Sequence, residues 1–561
     1  MIPRLLILAA GKVVGFPSRV KLWTFNAACR RPREVQEALL TRIVADQTPT
    51  AFGRDHGFDR IRSVADFRRQ LPVAPYDYFE PYLARVRNGE IDALLSDGRV
   101  LMFALTSGTT AARKTIPITP RYLTDFRRGW NRWGLRAFLD HQRISCAPIL
   151  QMAGDPEEFH TPAGIPCGSL SGLAVRSQKR LIRFLYCMPA AANPIKDSHA
   201  KYYVALRLSL GRPVGMISAA NPSTLAALAR LLNDEKEPLL RDLRDGTLNP
   251  KLNLPDAIRA DLAPYLKKYT RRARQLDRTA EKTGELWPRD VWPPDRMLLG
   301  TWTGGSVGPY LRQLEQYYGK TFVRDLGLVA SEGRMTIPLA DGTPAGVLDV
   351  TTHYFEFIPE ADGDSPRPTV LGAHELEDGK HYYILLTTAA GLYRYHIHDL
   401  VRVAGFHGRT PRLEFLGKGH HFASLTGEKL SEYQVTQALA DVTRQAAVPL
   451  PAYTLAPVWD DRQPYYGLFV ERGAWEEPAA RAVLPAFDSA LSAANDEYRG
   501  KRASGRLGPV RVLWLPPGAW ANWDRDRLAK AGGPPEQYKH PCLIGDAKFR
   551  DTVAVEGELA L

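Results

Sequence analysis

The chain is poor in cysteine: Cys29, Cys146, Cys167, Cys187 and Cys542 lie far apart in 561 residues. No pair has the short spacing of a zinc knuckle or a dithiol redox motif. A sparse, odd set fits free thiols in a reducing compartment, so a cytoplasmic protein is expected. Long apolar runs are also lacking. No stretch approaches the ~20 apolar residues of a bilayer-spanning helix. The run Leu5–Ala10 is cut off by Lys12 and followed by no convincing cleavage site. No membrane insertion is expected. There is no internal repeat, no low-complexity segment and no GxxxxGK[ST] phosphate loop.

What is present describes a folded, multidomain protein. Hydrophobic residues make up 44% and charged residues 24%, which excludes wholesale disorder. A chain of 561 residues exceeds one compact core. The net charge of +13 and the isoelectric point near 9.4 allow nucleic acid, an anionic membrane surface or anionic small substrates. The basic residues are scattered, with only pairs such as Arg30–Arg31, Arg127–Arg128 and Arg271–Arg272. No nucleic-acid-binding motif accompanies them, so no nucleic acid partner is expected.

Periodicity divides the chain into an α/β part and a smaller α+β part. Val35, Leu39, Leu40, Ile43 and Val44 recur at helical spacing. Ser63 precedes a short helix to Leu71, and Ser223 is expected to cap a helix to Leu232. Residues 250–292 are polar and read as connecting helices. Val100–Leu105 reads as a buried strand, as do Met297–Thr303, Thr321–Val329, Tyr354–Ile358, His381–Thr387 and Leu400–Val403, with Val347–Thr352 weaker. Glu360–Pro368 reads as a loop. Past Gly417 come a helix at Ser431–Leu439, a strand at Tyr465–Glu471, a helix at Pro478–Tyr498 and a strand at Val510–Leu515. The expectation is a large domain over residues 1–416 and a smaller unit over 417–561.

Three segments carry chemistry. The first is Thr106-Ser107-Gly108-Thr109-Thr110, directly after an apolar strand, with Lys114 beyond it. Small residues let backbone N–H groups approach an anion, hydroxyls add donors and the lysine adds charge. Composition alone also allows an ordinary polar turn. The second is Ser331-Glu332-Gly333 at the end of an expected strand. The third is Tyr393-Arg394-Tyr395-His396-Ile397-His398-Asp399. There an ionised aspartate suits a vicinal diol, while His396, His398 and Asp399 could instead be metal ligands.

In this order, these segments resemble the acyl-adenylate-forming superfamily and, within it, the auxin-responsive acyl acid amido synthetases, the Gretchen Hagen family. Supporting likenesses run from Asp66–Val73 and Asn88-Gly89-Glu90 through Tyr354–Phe357 to Asn495–Arg499, Leu507-Gly508-Pro509 and Gln537–Pro541. The resemblance implies a large N-terminal adenylate-forming α/β domain and a mobile C-terminal α+β domain. It implies that ATP activates a small carboxylic acid and that an amino acid amine then takes the acyl group. It implies that Thr106, Ser107, Gly108, Thr109, Thr110, Lys114 and Ser331 surround the nucleotide phosphates, that Glu332 ligates Mg2+, and that Asp399 holds the ribose. Lys429 and Lys539 compete to be the lysine that reaches the phosphates from the C-terminal domain. The chain departs from the plant pattern at His396-Ile397-His398, where arginine, valine and glycine are usual, so the acid is left open.

Two other readings remain at this stage. Transfer of the activated acyl group to a thiol, as in acyl-CoA ligases, calls for a hinge and helper loop that Gly417–His421 matches poorly. A non-catalytic protein of the same fold would not need Thr109, Glu332, Asp399 and Lys429 together.

Overall fold

A computed structural model describes residues 16–106, 114–144, 146–178, 180–304, 308–363, 365, 367–418, 422–423, 425–426, 428, 430–460, 463–503, 507–531 and 539–560. The large part is built on three sheets. A four-stranded parallel sheet runs Ile149–Gln151, Met216–Ser218, Leu298–Gly300, Phe322–Arg324. Helices cover it, and their Leu and Ala faces form a core around Val204, Leu225, Leu232, Leu243 and Leu299. A second sheet runs Thr115–Ile118, Met102–Leu105, Pro166–Gly168, Phe159–His160. The third is antiparallel and seven-stranded: Thr336–Ile337, Gly346–Leu348, Thr410–Lys418, Tyr395–His407, His381–Thr387, Tyr354–Pro359, Leu371–Gly372. Among the described residues, no helix is long and apolar enough to cross a membrane.

The helix Pro32–Gln47 turns Leu39, Leu40, Ile43 and Val44 inward, as its spacing requires. Gln36 is buried on the same face and completes the edge of the seven-stranded sheet. Its Nε2 donates to the carbonyls of Val350 and His353, both at 2.8 Å, and its Oε1 accepts the Phe355 N–H at 2.8 Å. A buried amide with its polar atoms so used fixes one register of helix on sheet.

The C-terminal part packs the helices Glu432–Gln445 and Glu477–Ala494 on a sheet in the order Tyr453–Val458, Tyr465–Glu471, Arg511–Leu515, Gly557–Leu559. Its core centres on Leu439, Leu455, Leu468, Phe487 and Val512. Ser431 caps the first helix in a reciprocal box with Gln434.

Several elements differ from expectation. The helix at 222 is capped by Asn221, with Pro222 in its first turn, so Ser223 lies inside it. The segment Thr321–Val329 is not one strand. It breaks after Arg324, because Asp325 turns its carboxylate back onto the Thr303 and Gly327 N–H groups, each at 2.6 Å. Val347–Thr352 ends as a strand at Leu348. Leu400–Val403 is the middle of the long strand Tyr395–His407. The helix over Pro478–Tyr498 is interrupted at Asn495, whose Oδ1 accepts the Tyr498 N–H and starts a second helix, Asp496–Ala503.

His353, beneath the sheet edge, is buried, and burial pulls its imidazole down to about 4 from the usual 6.5. Between those values the unfolded chain binds a proton that the folded chain does not. Stability is therefore complete above pH 6.5 and falls as pH drops toward 4, by about 2 kcal/mol from this group at pH 5. His353 Nδ1 has no hydrogen-bond partner among the described residues, so an apolar replacement strands no partner. His353→Leu is expected to unfold in urea with a loss between pH 7 and pH 5 that is smaller than the wild type's by about 2 kcal/mol. Equal losses in the two proteins would exclude titration of His353.

Candidate active site

Three chain segments, the first more than 200 residues from the other two, converge on one spot. The first is the hairpin of Met102–Leu105 with Thr115–Ile118. The Thr106 N–H donates to the Lys114 carbonyl at 3.1 Å and closes the neck of the loop between them. Ser107, Gly108, Thr109 and Thr110 lie outside the described residues, as does Lys429. At the neck, Thr106 Oγ1 is buried with no hydrogen-bond partner among the described residues. A buried hydroxyl so placed suits an anion held by the loop.

The second segment is a tight hairpin, Val329–Ala330 against Gly333–Arg334, with Ser331 and Glu332 at its tip. Ser331 Oγ donates to the Leu105 carbonyl at 3.3 Å, and the Tyr122 hydroxyl donates to the Ser331 carbonyl at 2.7 Å. These bonds seat the tip on the loop neck. Gly333 has to be glycine: a Cβ there would come within 2.7 Å of His353 Nε2. Arg334 braces the hairpin from below. It donates to the carbonyls of Leu326 and Thr336 at 2.9 and 3.2 Å, and lies 4.5 Å over the Trp130 ring. Its burial pulls the guanidinium down to about 10.

The third segment is the turn into the strand Tyr395–His407. Arg394 takes φ 49°, a left-handed conformation that a non-glycine residue needs a reason to hold. The reason is its guanidinium. Nε pairs with Glu356 Oε2 at 2.9 Å, and Nη1 donates to the carbonyls of Arg68 and Leu71 at 3.1 and 2.6 Å. Arg68 Nε takes the other Glu356 oxygen at 2.8 Å. This cross-link sets the direction of the next residue, Tyr395. The Tyr395 hydroxyl donates to Glu332 Oε1 at 3.2 Å and accepts from Lys114 Nζ at 3.4 Å. Burial first, then the charges of Glu332 and Asp399, push its phenol well above the usual range. It stays neutral and donates to the carboxylate.

Lys114, Tyr395, Glu332 and Asp399 thus share one polar cluster. Lys114 also lies 5.4 Å from the ring centre of Tyr76, whose hydroxyl accepts the Thr115 N–H at 3.0 Å. Asp399 is buried and is aimed by an irregularity in the sheet. His396 pairs with Leu385 and Leu400 with Tyr383, so extra residues of this strand bulge around Asp399. One carboxylate, Glu332, beside a neutral donor is a donor set that suits Mg2+, which keeps most of its ligands as water and phosphate oxygens. Among the described residues, no group of three or more His, Cys, Asp and Glu side chains could hold a metal by itself.

Of the two candidate lysines of the C-terminal part, only Lys539 lies among the described residues. Lys539 Nζ lies 4.4 Å from the ring centre of Trp302 and 5.7 Å from that of Phe415. Burial pushes the nearby Asp325 carboxyl up, and the Lys539 charge opposes this only in part. Lys429 follows Glu428, and Glu428 is fixed. Its carboxylate accepts from the Leu425 and Thr426 N–H groups at 2.7 and 3.0 Å and from the Thr426 and Tyr466 hydroxyls, both at 2.6 Å. Burial opposes its charge, but these four bonds prevail and hold the carboxyl below the usual range.

Sequence reasoning did not single out Tyr395, Arg394, Glu356, Arg68, Tyr76 or Tyr122 as site residues. Tyr395 had a signal, since it lies inside the motif that ends at Asp399. The Arg68–Glu356 contact spans 288 positions and has no local signature.

Comparison with known proteins agrees over most of the chain. The models of the GH3 family N-terminal, central and C-terminal domains match residues 21–323, 346–418 and 433–548. The probable indole-3-acetic acid-amido synthetase GH3.12 of Oryza sativa subsp. japonica is 25% identical, covering 93% of this chain and 92% of its own. The jasmonoyl–L-amino acid synthetase GH3.5 of the same subspecies is 24% identical and covers 94% of each chain. Among solved structures, the AtGH3.15 acyl acid amido synthetase in complex with 2,4-DB superimposes with a TM-score of 0.84 at 20% identity over 97% of each chain. The chain belongs to the GH3 family.

Proposed function

We propose that this protein is an ATP-dependent acyl acid amido synthetase. A carboxylate oxygen of the acid attacks the α-phosphorus of ATP and pyrophosphate leaves. The amine of an amino acid then attacks the acyl carbon of the mixed anhydride, AMP leaves and an amide remains. The observation that carries this reading is the Lys114–Tyr395–Glu332 chain beside Asp399, in a chain that GH3 family models match over residues 21–323, 346–418 and 433–548.

Roles follow from the chemistry. Displacement at phosphorus gains most from positioning and charge neutralisation. Thr106, Ser107, Gly108, Thr109, Thr110 and Lys114 hold the phosphates, with Ser331 at their edge. Asp399 accepts both ribose hydroxyls. Glu332 is the protein ligand of Mg2+, which when bound neutralises phosphate charge. Tyr395 keeps Glu332 and Lys114 at fixed separation, so the carboxylate and the ammonium do not collapse onto each other. We assign residues 417–561 as the lid that brings Lys429 or Lys539 to the phosphates on closure. The substrates are a small carboxylic acid and an amino acid. The free cysteines favour a cytoplasmic setting.

The test is pyrophosphate release from Mg·ATP with a panel of aryl, indolyl and aliphatic acids, with and without amino acids, and product masses read in parallel. An acyl–amino acid mass is the expected product. A thioester formed only when CoA is added would overturn the amide reading. Asp399→Ala and Glu332→Ala are each expected to lower acid-dependent pyrophosphate release by at least about 100-fold while unfolding like the wild type. Near-normal release from either would sink its assignment. Tyr395→Phe loses one hydroxyl between two charged groups and is expected to lower kcat by about tenfold, with the KM for the acid unchanged. An unaltered kcat would remove Tyr395 from the site.

A further inference from the structure

A cavity of about 590 Å³ opens between the helix Pro32–Gln47, the segment 61–68 and the turn 372–375. That volume is in the range of small-molecule sites. None of its lining residues belongs to the loop neck, the Glu332 hairpin or the strand that carries Asp399. Its wall has two chemistries. Leu40, Val44, Ile61 and Phe355 give it a buried apolar floor. The charges on the lining are Arg33, Arg62 and Arg68 against Glu37 and Glu375. Arg33 Nε pairs with Glu37 Oε1 at 2.9 Å, and Glu375 Oε2 accepts the Gly372 N–H at 2.6 Å. With His374 neutral, the wall has one more guanidinium than it has carboxylates.

Arg68 joins this cavity to the active site. Its Nε holds Glu356 Oε1, and the other oxygen of Glu356 holds Arg394. The Arg68 side chain is 29% exposed, against 1% for Glu356 and 5% for Arg394. Of these three groups, Arg68 is the one that a molecule in the cavity can reach.

We propose that the cavity is a regulatory site for a small amphipathic monocarboxylate, its apolar body on Leu40, Val44 and Phe355 and its carboxylate on Arg62 and Arg68. One surplus positive charge above an apolar floor suits a single carboxylate on an apolar body. An ammonium head group would be repelled by the same arginines. The site stands on the cavity itself; its effect on turnover rests on the amido synthetase reading. A carboxylate at Arg68 competes with Glu356 for the guanidinium. Glu356 anchors the strained turn at Arg394 that delivers Tyr395 to Glu332. Occupancy therefore lowers turnover without touching the reacting atoms.

The probe is octanoate, with octylamine as its cationic counterpart. Each is titrated calorimetrically into the full-length protein without ATP, for wild type, Thr41→Trp and Arg62→Gln, paired with thermal unfolding. Thr41 is exposed and lies on the cavity wall, so a tryptophan there fills the space. Octanoate is expected to bind the wild type, and each variant about tenfold more weakly; octylamine is expected to bind none of them. Pyrophosphate release is then followed with the best acid of the panel other than octanoate. Saturating octanoate is expected to lower kcat about fivefold in the wild type and to leave Thr41→Trp, equally active without it, unchanged. Absence of octanoate binding to the wild type would overturn the proposal, as would equal affinity in wild type and variants, or octylamine binding as tight as octanoate. So would inhibition that is purely competitive with the acid and persists in Thr41→Trp. If Thr41→Trp melts below the wild type, Arg62→Gln decides in its place. A wild type that releases no pyrophosphate with any acid overturns the amido synthetase reading instead, and the titrations then judge the cavity alone.

Discussion

The candidate site depends on one buried carboxylate, Glu356, held between two arginines. Arg68 approaches from the N-terminal helices and Arg394 from the turn before Tyr395. A left-handed arginine costs about 1–2 kcal/mol. Removing one partner of a buried ion pair costs about 3–5 kcal/mol, because the other charge is then stranded. The ion pair prevails, so the turn keeps its strained form and Tyr395 is delivered to Glu332. The N-terminal helices are in this sense part of the site, through Arg68 and Tyr76.

Legibility in the sequence followed the range of the interactions. His381–Thr387 and Tyr465–Glu471 were readable to the residue, because an apolar run flanked by polar residues is a local signal. Ser63 was readable as a cap for the same reason. Asn221 was missed because Pro222 belongs to the first turn, which moves the cap two residues ahead of the serine. The break after Arg324 was hidden because Asp325 is turned by groups at positions 303 and 327, one of them distant in the chain. The segments containing Thr106, Glu332 and Asp399 stood out by residue type and order. The bonds that seat them on one another, Ser331 to Leu105 and Tyr395 to Glu332, join positions 226 and 63 apart and leave no periodic trace.

Some of the arginines have a structural use in the interior. Arg207 donates to the carbonyls of Thr247 and Lys267, Arg212 to those of Tyr186 and Phe184, and Arg259 to those of Asn249, Pro250 and Leu252. With Arg334 and Arg394, these guanidiniums act as multi-donor caps for backbone that neither sheet nor helix satisfies. Five of the 74 lysines and arginines are thus used to fasten backbone.

Glu428 has a mechanical consequence. Four hydrogen bonds fasten it to its own loop and to Tyr466 in the C-terminal sheet. Tyr466 belongs to the strand Tyr465–Glu471, so Leu425, Thr426 and Glu428 form one mechanical piece with it. Any displacement of that strand is shared by these three residues.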